Sequence, residues 1–142
     1  MIARTEWKPS ATNQDLYEGH SESGHTLLFD AAPAHAEGLS PMEAVLMALC
    51  GCTSVDVVSI LKKKRQPVTS VVVSAVAEQQ PEPPRYFNKI RLVYTIGGKV
   101  SCKAAHDAVA LSKNKYCSVS AMLERSAEID FVVEFADAET LP

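Results

Sequence analysis

The sequence predicts an α+β fold in which mainly antiparallel sheets accompany one long central helix. Three observations carry that reading. A capped apolar stretch opens at Ser40 and runs to about Arg65. Two alternating stretches rich in valine and aromatic residues follow it. Strand and helix patterns come in runs, not in the strict alternation that builds a parallel sheet. With 142 residues and no linker-like segment, the chain reads as a single domain, 1–142.

The elements follow in order. "ARTEWK" (3–8) reads as a short strand, and "DLYEGHSESGHTLLFD" (15–30) as a hairpin turning around Ser21–Gly24. "SPME" then opens the helix. Ser40 supplies the cap, Pro41 takes the first helical position, and Glu43 completes a capping box. "KKKR" sets positive charge against the negative helix end, and Pro67 forbids continuation. The first four turns are apolar on nearly every side, which predicts a helix buried all round. "TSVVVSAVAEQQ" (69–80) and "RYFNKIRLVYTIGG" (85–98) read as strands joined by "PEPP". "SCKAAHDAVALSKNK" (101–115) has helical spacing, with Ala104, Ala108 and Leu111 on one face. "CSVSAMLERS" (117–126) is a second short helix, and "EIDFVVEF" (128–135) a closing strand. Six modest strands and two short helices are thin cover for such a long apolar helix, so a partner subunit is expected to supply the rest.

Composition narrows the function classes. Fourteen Lys and Arg against seventeen Asp and Glu give a net charge of −3, with no basic footprint for nucleic acid. The N-terminus shows no secretory pattern. The apolar run 44–61 carries Thr53, Ser54, Asp56 and Ser59, which argues against a membrane span. The expected location is therefore cytoplasmic, where four cysteines do not read as a disulfide framework. No CxxC pair occurs and no histidine stands at ligand spacing from a thiol, so no metal site is expected.

Cysteines become the chemical candidates. A buried cysteine is ordinarily a small apolar side chain. Cys50 and Cys52, two apart, face opposite sides of a helix, about 200° from each other. Cys52 stands out because Gly51, Thr53, Ser54 and Asp56 place small and polar groups around it, with Asp56 one turn on and on the same face. A buried acid there needs a partner, and a negative neighbour raises a thiol pKa. Cys117 follows Tyr116 at the start of a helix. It is either a thiol in a first turn, where the dipole favours thiolate, or a residue wedged at a helix junction. Cys102, beside Lys103, reads as structural.

Two segments, "SPMEAVLMALCGCTSVDVVSILKKKRQ" (40–66) and "LSKNKYCSVSAMLERS" (111–126), with "APAHAEGLSP" and "PRYFNKIRLVY" around them, resemble the OsmC/Ohr family of thiol-dependent peroxidases, in its YhfA-like branch. The resemblance implies an OsmC-like fold in an intertwined homodimer and a redox role in antioxidant stress response. It implies Cys52 as peroxidatic nucleophile and Cys117 as resolving thiol, an organic hydroperoxide as substrate, a lipoyl-like dithiol as reductant, and no cofactor. Met42 stands where the peroxidases of the family carry a glutamate. Glu43, one residue and about 100° away from it, is a supporting candidate. The family's activating arginine has no counterpart between Thr5 and Leu39, which leaves Arg4 and Arg85 as supporting candidates. The second reading is a non-peroxidase of the same fold that binds a small apolar or thiol ligand in the dimer cleft.

Overall fold

The structure, a computed structural model, describes residues 1–136. The chain divides into two compact units, Met1–Leu46 and Met47–Pro142.

In the first unit, β1 (Ala3–Trp7), β2 (Leu16–Ser21) and β3 (Thr26–Asp30) form an antiparallel sheet in the order β1-β2-β3. Glu18 gathers Lys8 at 2.9 Å and His20 at 3.0 Å along one face. The buried Asp30 carboxylate accepts the amides of Glu37 and Ala32, which holds it below the usual carboxylate range and folds the following loop around it. Little of this unit is covered. Leu16 and Asp30 alone are buried, while Trp7, Tyr17, Leu27 and Leu28 remain exposed. Helix α1 (Pro41–Lys63) starts here on the predicted capping box. The Ser40 amide and hydroxyl both donate to Glu43 Oε2, at 2.7 and 2.9 Å, and the Glu43 amide donates back to Ser40 Oγ.

In the second unit α1 ends two residues before the predicted Arg65. Arg65 adopts φ 54°, its amide bonds the Lys62 carbonyl, and the Gln66 amide reaches Leu61 O at 2.9 Å. This is the Schellman closure, with arginine where glycine is usual, and Pro67 follows it. Strands β4 (Val68–Gln79) and β5 (Phe87–Gly98) form the expected antiparallel hairpin. β6 (Glu128–Phe135) pairs with β5 in parallel, beside three antiparallel pairings that meet the mainly antiparallel expectation. Parallel pairing needs a long crossover, and Lys99–Ala127 supplies it as α2 (Cys102–Leu111), a π-turn (Ser112–Tyr116) and α3 (Ser118–Leu123).

The core follows from the strand alternation. Ile90, Leu92, Tyr94 and Ile96 point to one side of β5 and are fully buried. Leu49, Thr53, Val57 and Leu61 form one stripe of α1, each four residues from the next, and are also fully buried. From α2 the buried face is Ala104, Ala105, Ala108 and Val109, whereas Leu111 is exposed. The predicted face was thus off by a fraction of a turn. By length and composition α1 could cross a membrane, but its Leu49–Leu61 stripe lies in a protein core. The expectation that α1 is buried all round does not hold within one chain. Met47, Ala48, Gly51, Val55 and Ser59 form an open face opposite the buried stripe.

Gly98 is the tightest backbone position. Its φ is 99°, and a Cβ there would meet the Pro67 carbonyl. Gly98→Ala is expected to destabilise the protein by about 1–3 kcal/mol, read as a lower midpoint in urea unfolding. An unchanged midpoint would refute the strain.

Candidate thiol site

The second unit brings Cys52 and Cys117 together from elements far apart in sequence. Cys52 is half-buried on α1. Cys117 is buried and caps α3, its Sγ accepting the Ser120 amide at 3.4 Å. Burial pushes the Cys117 thiol up. The Ser120 hydroxyl and amide pull it partly back, and the nearby Cys52 thiol pushes it up again. The dipole argument for a Cys117 thiolate is therefore corrected. Cys117 precedes the first turn of a six-residue helix, and desolvation outweighs what so short a helix offers.

Around the pair runs a chain of buried hydroxyls. Tyr94 Oη is 2.7 Å from Thr53 Oγ1, Thr53 Oγ1 is 2.8 Å from Ser112 Oγ, and Ser112 Oγ donates to Asp56 Oδ2 at 2.9 Å. Each hydroxyl has one hydrogen. Since Ser112 spends its own on the carboxylate, Thr53 must donate to Ser112 and Tyr94 to Thr53. The chain therefore has one direction and ends on Asp56. This is the partner that the sequence demanded for a half-buried acid. Burial lifts the Tyr94 hydroxyl to about 12, opposed by its bond to Thr53. Tyr94 also stacks edge-on against Phe131, centroids 6.3 Å apart.

The π-turn carries the chain to Cys117. Its wider winding lets the Cys117 amide reach back five residues to the Ser112 carbonyl at 2.8 Å. A pocket of about 350 Å³ opens beside this turn, lined by Asp56, Ile60, Lys63, Lys64, Leu111 and Tyr116.

The remaining candidates lie elsewhere. Cys50 is half-buried, its thiol raised by burial, and its carbonyl takes the Ser54 hydroxyl at 2.7 Å. Cys102 is exposed at the first position of α2. Glu43 is held in the capping box, where the Ser40 amide lowers its pKa. Arg4 lies in the first unit, 3.8 Å from Glu6. Arg85 bonds the Gln80 carbonyl at the tip of the β4–β5 hairpin. Sequence reasoning missed Tyr94, Ser112 and Ser120. Only Tyr94 left a signal, as a polar-tipped residue at an inward position of an alternating strand.

Ser120 Oγ is fully buried and lies near the Cys117 sulfur, whose pKa its hydroxyl lowers. Ser120→Ala is expected to raise the Cys117 pKa further, because a hydroxyl that lowers it is lost. The check is the pH profile of Cys117 alkylation in a Cys52→Ser background; a profile moved to lower pH would contradict the assignment.

Residues 34–132 match the model of the OsmC family, described as "OsmC-like protein". Over 139 residues the chain is 41% identical to "Protein YhfA" of Escherichia coli K12, covering 97% of this chain and all of the relative. A hypothetical protein of Aquifex aeolicus VF5 superposes with a TM-score of 0.77 at 31% identity, over 96% of this chain and 99% of that one. An organic hydroperoxide resistance protein, OsmC, from Legionella pneumophila has the same fold, with a TM-score of 0.70 at 16% identity over 94% and 95% of the two chains.

Proposed function

Because the chain belongs to the OsmC-like family, we propose that it is a thiol-dependent redox protein that reduces organic hydroperoxides through Cys52 and Cys117. The observation that carries this reading is the approach of the Cys52 thiol to the buried Cys117 thiol. The Cys52 thiolate attacks the distal peroxide oxygen and the O–O bond breaks. The alkoxide takes a proton and leaves as an alcohol, and Cys52 becomes a sulfenic acid. The Cys117 sulfur then displaces water from Cys52, forming the disulfide. A lipoyl-like dithiol restores both thiols by exchange and leaves as its own disulfide. Two electrons move in each half, and no cofactor is required. A raised Cys117 pKa divides the labour: it keeps Cys117 from competing with Cys52 for peroxide in the first step, and slows the second at neutral pH. The hydroperoxide resistance described for the Legionella protein agrees with this substrate class.

The functional unit in this reading is a homodimer. The face Met47, Gly51 and Val55 would take the α1 helix of a second copy, and a Cβ at Gly51 would meet open space, so close helix approach is possible. The thinly covered first unit fits an intertwined arrangement, in which the second copy covers Trp7, Leu27 and Leu28. The family match spans both compact units, which supports one OsmC-like domain. A reducing, cytoplasmic setting keeps the four thiols free.

Met42 and the occupied Glu43 carboxylate favour a second reading, a non-peroxidase that binds an apolar or thiol ligand. Turnover of cumene hydroperoxide with dihydrolipoamide decides between them. Catalytic consumption supports the peroxidase; thiols that stay reduced under hydroperoxide support the binding protein.

A further inference from the structure

Ser112 is bonded to both thiol-bearing elements at once. Its hydroxyl takes the Thr53 hydrogen at 2.8 Å and donates to Asp56 at 2.9 Å. Thr53 directly follows Cys52, and Asp56 lies one turn beyond it on the same helix. Its carbonyl accepts the Cys117 amide at 2.8 Å. The side chain is fully buried, as is Thr53, so the bond between their hydroxyls is not traded with water. The Thr53 end is itself anchored by Tyr94, on a third element, at 2.7 Å. One small residue therefore fixes the π-turn against α1, on one side next to Cys52 and on the other at Cys117.

We propose that Ser112 is a positioning residue for the dithiol, clamping the Cys117 backbone to the stretch of α1 that carries Cys52. This rests on the dithiol reading above. Formation of an intramolecular disulfide depends on how much of the time the two sulfurs are in reach, and small misplacements cost heavily. Without the hydroxyl, the π-turn loses its side-chain tie to Thr53 and Asp56. The Cys117 amide bond to the Ser112 carbonyl remains, but the turn as a whole is free to move against α1. The Cys52 thiol, held by α1 alone, keeps its place. The clamp thus acts on disulfide formation.

The test equilibrates the full chain in glutathione buffers of graded ratio and maps the Cys52–Cys117 disulfide by alkylation and mass spectrometry. In this exchange oxidised glutathione takes two electrons from the pair and leaves as two thiols, so no peroxide chemistry enters. Ser112→Ala is expected to lower the effective concentration of the pair by about tenfold to a hundredfold. The rate of Cys52 with hydroperoxide is measured separately in a single turnover, because loss of the Ser112 hydroxyl also leaves Asp56, on the Cys52 face of α1, without its partner. Ile90→Val, a core substitution outside the clamp, controls for general loosening. It is expected to lower the melting temperature and leave the glutathione equilibrium unmoved. An equilibrium for Ser112→Ala equal to wild type, or displaced no further than that of Ile90→Val at matched melting temperature, overturns the proposal. A wild type that forms the disulfide but turns over no peroxide would reject the peroxidase and leave the clamp to be decided by the same numbers. A wild type that never forms the disulfide removes the pair and the clamp with it.

Discussion

Cys52→Ser is expected to lose hydroperoxide turnover by at least about a thousandfold, to the level of free dithiol in buffer. The serine hydroxyl is a far weaker nucleophile at neutral pH and cannot store the oxygen as a sulfenic acid. Cys117→Ser fails differently. It should consume one equivalent of peroxide at the wild-type rate and then stall, with Cys52 driven to sulfinic acid by further equivalents. Because burial raises the Cys117 thiol, its thiolate fraction climbs with pH across the neutral range. The disulfide-forming step should therefore accelerate as pH rises towards that raised value and level off above it. Stopped-flow measurement of the two phases, with mass spectrometry of the products, separates these outcomes. Turnover that survives in Cys52→Ser would sink the mechanism.

The second large effect concerns assembly. Val55 is 70% exposed and Met47 59%, on either side of Gly51 along one helix face. These are large apolar side chains in water on a long apolar helix, an arrangement that a lone chain leaves costly. Val55→Arg places a charge on that face, one turn from Gly51. It is expected to convert a dimer into a monomer at micromolar concentration, weakening association by about a hundredfold or more. Size-exclusion chromatography with light scattering reads the result directly. A wild type that is monomeric, or a variant that remains dimeric, would mean that this face is not the interface.

The fold was legible where local chemistry decides it. Ser40, Pro41 and Glu43 form the capping box as read, and the alternation in β4 and β5 gave both strands within two residues at each end. Legibility ended where pairing is non-local. Nothing in "EIDFVVEF" says that it joins β5 in parallel, because direction depends on the crossover and not on the strand. The π-turn was not separated from the helix read over 101–115, since its extra residue leaves no mark on hydrophobic spacing. The site divided in the same way. Asp56 announced that it needed a partner. Ser112, an ordinary serine near a helix end, did not announce that it was that partner. The open face of α1 is non-local in the same sense: the spacing shows a helix apolar on nearly every side, and what lies against Met47 and Val55 is not written in it.

The parallel pairing of β6 has a consequence for how the molecule comes into being. β5 lies in the middle of its sheet, between β4 and β6, so one of its edges waits for residues 128–135. During synthesis the β4–β5 hairpin can form from local contacts, but the last edge closes only after α2, the π-turn and α3 have been made. Loop closure of that length is slow compared with hairpin formation. The half-made chain therefore presents an unpaired, apolar strand edge while Cys52 and Cys117 are already made, and the interval before β6 docks is when it is most open to wrong strand pairing.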